Sequence, residues 1–189
     1  MKKAMLILLL AVLLQGCGAM LVGAVTTGAS VIHDRRSAGT ILDDRNIQFK
    51  ILSDVESNSE LSKHTSVAAV SYNYAVLLTG QALEANYRER VVEQARTTPM
   101  VKRVIDQIEI GELSSFSQET HDAYITAKVK LELLDISLPS FDPSRVKVVT
   151  ELSVVYLMGL VTQEEATAVV EKTRYIDGVK RVVKIFEYI

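Results

Sequence analysis

The sequence predicts an α+β fold built from two copies of one αββαβ unit, each a small three-stranded mixed sheet with two helices on one face. Three observations predict it. The chain repeats itself at a spacing of 78 residues, each half opens on apolar residues at helical spacing, and each half continues with paired β-rich runs, a second helix and a last strand.

The repeat justifies the elements in order. Asp44, Ile47, Lys50, Ile51 and Val55 correspond to Asp122, Ile125, Lys128, Val129 and Leu133, so each half begins with a helix carrying one apolar stripe behind an Asp expected to cap it. Val67 to Val70 with Ala75 to Thr79, and Val146 to Val149 with Val154 to Met158, read as hairpins. Their turns, Tyr72-Asn73-Tyr74 and Glu151-Leu152-Ser153, lack the Asn-Gly pair that a tight hairpin favours. Leu77-Leu78-Thr79-Gly80 meets Tyr156-Leu157-Met158-Gly159 at a shift of 79, which places one extra loop residue in the second half. Thr162-Gln163-Glu164-Glu165 opens the next helix with a capping box, Asp177-Gly178 ends it, and Val179 to Ile189 supplies the last strand. Val101-Lys102-Arg103-Val104 recurs as Val179-Lys180-Arg181-Val182, but Met100 stands where the second half has Gly178, so the two helix-to-strand turns are expected to differ. A core this small is marginal alone, so the copies are expected to pack against each other.

Before the repeats, Met1-Lys2-Lys3 and the apolar run Ala4 to Leu14 have the charge and length of an export signal. Leu14-Gln15-Gly16-Cys17 then places a small residue ahead of a cysteine, the pattern of a lipoprotein leader, so residues 1–16 are expected to be removed and Cys17 to carry the lipid anchor. The other reading is a secretory signal beside an incidental cysteine. Two or more acyl chains give stable attachment where one is marginal. Gly18 rather than Asp after the cysteine resembles sorting to the outer membrane. Cys17 is the only cysteine, so no disulfide forms and no thiol is left for catalysis. Residues 17–43 read as anchor and linker, with Asp34 to Thr40 polar and the first strong helix starting at Asp43-Asp44. The first unit spans 44–111 and the second 119–189, divided by a break over Gly111 to Ser117.

The 21 basic and 23 acidic side chains, two of the basic ones lying in the leader, give no global field for nucleic acid. His33, His64 and His121 are scattered without zinc-ligand spacing, and there is no phosphate-binding glycine loop or Gly-x-Ser-x-Gly elbow. The acidic pairs Asp43-Asp44 and Glu164-Glu165 fall at expected helix starts, where capping accounts for them. No enzyme, metal or cofactor is predicted.

Val155-Tyr156-Leu157-Met158-Gly159 and Gly178-Val179-Lys180-Arg181-Val182 resemble the strand-end and exit motifs of the BON domain, and the whole layout looks like the dual-BON outer-membrane lipoproteins. The resemblance implies a periplasm-facing, lipid-anchored protein that supports outer-membrane integrity, at the division site. It also implies that the first helix of the second domain binds phospholipid, with an aromatic at the position of Tyr124.

The residues themselves single out the same helix. Tyr124, Ala127, Leu131 and Leu134 make a second apolar face opposite its core stripe, flanked by Lys128 and Lys130, whereas the first repeat has Asn46, Phe49, Ser53 and Glu56 there. Such a stripe suits the headgroup boundary of an anionic bilayer. It suits equally packing on the first domain or on another copy, or a periplasmic adaptor docking onto the outer-membrane β-barrel assembly or cell-wall machinery.

Overall fold

The computed structural model describes residues 34–189; the predicted leader, Cys17 and the segment 18–32 lie outside the described residues. Residues 35–189 form one compact unit. In its first half α1 (Ala38–Ser57) and a single-turn α2 (Leu61–His64) precede the strands β1 (Thr65–Tyr72) and β2 (Ala75–Ala82), then α3 (Ala85–Thr97) and β3 (Arg103–Ile110). The second half has α4 (Phe116–Leu134), a 3₁₀ turn (Pro143–Arg145), β4 (Val146–Glu151), β5 (Val154–Val161), α5 (Gln163–Arg174) and β6 (Arg181–Tyr188). Each half is therefore αββαβ as predicted, apart from the added α2.

Both first helices start earlier than the sequence suggests. Ser37 and Ser115 take the N-cap positions, their hydroxyls accepting from the amides of Thr40 and Gln118. Asp44 and Asp122 therefore sit inside helices, buried, and do not cap them. They cap the hairpins instead. The Asp44 carboxylate accepts the amides of Asn73 (2.7 Å) and Tyr74 (2.9 Å) and the Ser71 hydroxyl (2.6 Å), and Asp122 accepts those of Leu152 and Ser153, both at 2.8 Å. Asn73, Tyr74, Leu152 and Ser153 all have φ between 49° and 67°, the left-handed pair of a two-residue hairpin loop. The missing glycines are thus made good by a carboxylate from the preceding helix.

The helix-to-strand turns also correct the expectation. Met100 has φ 68° and Gly178 φ 95°. In both, the next residue's amide bonds back to the third residue before it, Val101 to Thr98 (3.3 Å) and Val179 to Ile176 (3.0 Å). Lys102 and Lys180 then donate to Tyr74 and Ser153 of the hairpin turns, each at 2.9 Å. The turn is the same, and Met100 bears it without glycine's freedom.

Each sheet is mixed: β1-β2-β3 and β4-β5-β6, the first pair antiparallel and the second parallel. One face of each sheet meets its own helices. There Ile47, Ile51 and Val55 pack with Val76, Leu78 and Val91, and Ile125, Val129 and Leu133 pack with Val155, Leu157 and Val169. The other faces meet each other across Tyr72, Leu77, Val154, Tyr156 and Met158. The central strands β2 and β5 are buried on both faces, which is why they read as continuous apolar runs.

The packing interchanges the repeats. The Leu160 amide donates to the Tyr72 hydroxyl (3.2 Å), and the Gln81 amide group donates to Glu151 (2.6 Å). Tyr72 and Gln81 correspond to Glu151 and Leu160 at the shift of 79, so each contact is the other with the halves exchanged, the signature of a two-fold interface. Such packing closes on itself and uses neither set of helices.

Candidate functional site: the outer face of the fourth helix

The core stripe Ile125, Val129 and Leu133 fixes the rotation of α4. Asp122 ties its first half to the β4–β5 turn, and a 2.7 Å bond between the Thr126 and Thr150 hydroxyls ties it to β4. This leaves the opposite stripe facing outward. Tyr124 is 58% exposed, Leu131 64% and Leu134 66%, with Ala127 and Lys130 also exposed and Lys128 half-buried. The Lys128 ammonium lies 4.8 Å from the centre of the Tyr124 ring, a cation–π contact. All six predicted site residues therefore belong to one helix surface. The first domain does not cover it, because the domains meet through their sheets.

Two grooves border the stripe. Lys128, Leu131, Glu132, Lys172, Tyr175 and Ile176 line one of about 630 Å³ between α4 and the end of α5, where the Lys172 ammonium donates to Glu132 (3.4 Å). The other, about 650 Å³, lies between α4 and β4 and is walled by Ala127, Leu131, Leu134 and Val146, with Lys130 and Lys147 among its lining. Tyr175, 74% exposed, and Lys147 escaped the sequence reading. Lys147 was detectable: it alternates with the helix-side core residues Val146 and Val148 and pairs with Met158, so its side chain leaves from the other face of the edge strand.

Lys147 has cations on several sides, one of which, Arg36, is paired with Asp44. Burial of its stem, and then the charges of Lys130, Arg36 and Arg45, hold its ammonium pKa below the ordinary lysine value. Neither Lys130 nor Lys147 forms an ion pair among the described residues. The first-repeat groove, about 680 Å³, is lined by Phe49, Leu52, Ser53 and Glu56 in the corresponding places. Phe49, 75% exposed, makes that face less polar than its sequence suggests, but Leu52 replaces Lys130 and Glu56 replaces Leu134.

Among the described residues no group of His, Cys, Asp or Glu is arranged to hold a metal ion, and no helix is long and apolar enough to cross a membrane. The most perturbed acids are structural. Burial raises the Glu151 pKa, with Gln81 and Ser114 donating hydrogen bonds against it. Glu165 completes the α5 capping box and receives both nitrogens of Arg35, at 2.6 and 2.9 Å.

The BON domain model matches residues 43–112 and 121–189. The chain is 34% identical over 190 residues to an outer membrane lipoprotein, DolP, of Haemophilus influenzae, covering 100% of this chain and 97% of that protein. It is 31% identical over 156 residues to a 21 kDa hemolysin of Actinobacillus pleuropneumoniae, covering 82% of this chain and 79% of that one. Among solved structures, the C-terminal domain of CdsD, a structural protein of the type III secretion system of Chlamydia trachomatis, aligns with 75% of this chain and 98% of its own at 12% identity and a TM-score of 0.31, too low to carry argument. With two BON domains spanning most of its length and a relative similar from end to end, the chain belongs to the BON family, as a dual BON-domain outer-membrane lipoprotein.

Proposed function

We propose that this lipoprotein is a non-catalytic reader of anionic phospholipid, anchored through acyl groups on Cys17, facing the periplasm and supporting outer-membrane integrity, including at the division site. The observation that carries the reading is the outer face of α4. Tyr124, Leu131 and Leu134 are more than half exposed on a helix whose other side is fully committed to the core. An aromatic and two leucines edged by lysines match the boundary between acyl chains and anionic headgroups, where the ring and methyl groups leave water and the amines stay wet. The corresponding positions of α1 carry Asn46, Ser53 and Glu56, so the chemistry belongs to one repeat and is not a by-product of the fold.

The test is flotation of residues 34–189, which lack the lipid anchor, with phosphatidylglycerol-containing and with phosphatidylcholine vesicles. The wild type is expected to float only with the anionic vesicles, and Leu131→Asp or Tyr124→Asp to abolish flotation with circular dichroism unchanged. A folded wild type that stays at the bottom of both gradients would sink the reading. It would then favour the same face as a dock for outer-membrane β-barrel assembly or cell-wall proteins.

A further inference from the structure

We infer that the outer edge of β6 is a docking edge for an extended acidic segment of a partner protein, which joins the second sheet as a further strand. The two repeats end on corresponding edge strands, β3 and β6, each paired on one side only. An edge left open offers a row of amides and carbonyls to an incoming chain, and proteins either blunt such edges or use them. The first repeat blunts its edge and the second does not.

In β3 the Gly111 amide bonds to the Ala82 carbonyl (3.0 Å), so strand alternation turns the Asp106 carbonyl and the Ile108 amide away from β2. Both are occupied by neighbouring side chains. The Ile108 amide donates to the Asp106 carboxylate (3.0 Å), the Gln107 amide group donates to the Asp106 carbonyl (3.0 Å), and Arg88 holds that carboxylate in place (2.8 Å). In β6 the Ile189 amide bonds to the Val161 carbonyl (3.2 Å), which turns the Lys184 carbonyl and the Phe186 amide outward in the same way. At the shift of 78, Lys184 stands for Asp106 and Ile185 for Gln107. A lysine has nothing to accept the Phe186 amide, and an isoleucine has nothing to donate to the Lys184 carbonyl. No hydrogen bond reaches either group among the described residues. Charge selects the occupant. Lys180, Arg181 and Lys184 are exposed and form no ion pair among the described residues, while the lone acid of the strand, Glu187, already accepts from Asn73 (2.6 Å). A second copy would therefore bring cations to cations, whereas an acidic strand places opposite charges across the new pairing.

The experiment titrates residues 34–189, which carry all three hydrophobic clusters, with a capped peptide of alternating valine and glutamate, eight residues long like β6, and follows amide NMR shifts. Two further peptides separate charge from main-chain pairing: one alternates valine with lysine, and the other is the acidic peptide N-methylated throughout. The acidic peptide is expected to shift Lys184, Phe186 and Tyr188 saturably, and the other two to bind at least about tenfold more weakly. Lys184→Asp, which puts the first repeat's acceptor on this edge and reverses its charge, is expected to weaken binding about tenfold, while Arg103→Asp on β3, with the same change in net charge, leaves it unchanged. The absence of a saturable shift in the folded wild type, equal binding of the N-methylated peptide, or equal binding by Lys184→Asp would each overturn the docking edge. Shifts of Lys184 and Phe186 that grow with protein concentration alone would give the edge to a second copy. Shifts there with phosphatidylglycerol vesicles but not with the acidic peptide would give it to the membrane, and either result overturns the acidic strand.

Discussion

Asp44 and Asp122 lie inside helices and yet serve strand turns, and this inversion sets what each is worth. Leu152 and Ser153 are held at φ 49° and 66°, which costs a non-glycine residue about 1–2 kcal/mol each. The two amide bonds to the buried Asp122 carboxylate, each contributing about 1.5–3 kcal/mol, offset it. Asp122→Ala is therefore expected to lower unfolding free energy by about 3 kcal/mol in urea titration. A glycine pair at Leu152 and Ser153 should restore part of that loss, because it relieves the strain the carboxylate was offsetting. Met100 is the converse case: it bears φ 68° with no such partner, so Met100→Gly is expected to raise stability by about 1 kcal/mol in the same assay. The sequence exposes both aspartates by their matching offsets, but an Asp before an apolar stripe looks alike whether it caps its own helix or reaches a turn 30 residues away. Burial, visible only in the fold, decides between them.

At the scale of elements, the segment before α1 is pinned to both domains. Arg35 joins Glu165 of α5 and donates to the Leu160 carbonyl (2.8 Å), while Arg36 reaches Asp44 of α1 (2.8 Å) and stacks 3.8 Å from the centre of the Tyr72 ring. What reads as a polar linker therefore bridges the repeats just ahead of the first helix. No local pattern could show this, since Arg35 and Glu165 are separated by 130 residues. Burial alone would raise the Glu165 pKa, but the hydrogen bonds from Arg35 and Thr162 and the charges of Arg35 and Arg145 hold it below the ordinary 4.5. A carboxyl whose folded pKa is depressed stabilises fully above its unfolded pKa, and that stability is lost as pH falls through the folded value. Arg35→Ala should thus cost about 2 kcal/mol at neutral pH, and the gap to wild type should narrow as pH falls below 4.5. Urea midpoints measured along that pH series check it; a gap independent of pH would contradict the assignment. The outer face of α4, by contrast, was legible. Helical periodicity places Tyr124, Leu131 and Leu134 on one stripe, and comparison with α1 marks that stripe as surplus to the core.

Over the whole molecule, the decisive fact is how the two repeats bury their second sheet faces. Each sheet is too small to leave its far side in water, and Tyr72, Leu77, Tyr156 and Met158 close those sides against one another. The small size of each core pointed to packing of one copy against the other, but not to the faces involved, because a layer of helices would serve as well as a sheet face. Sheet-to-sheet packing turns all the helices outward, and so leaves α4 free to make the proposed lipid contact, which α1 is not expected to share. The most direct measurement of that division of labour is flotation of residues 34–189 with phosphatidylglycerol vesicles after giving the second repeat the first repeat's residues: Tyr124→Asn, Leu131→Ser and Leu134→Glu together. A folded variant that no longer floats is the predicted result. A folded variant that floats as well as wild type would contradict the account, and would move lipid recognition away from α4.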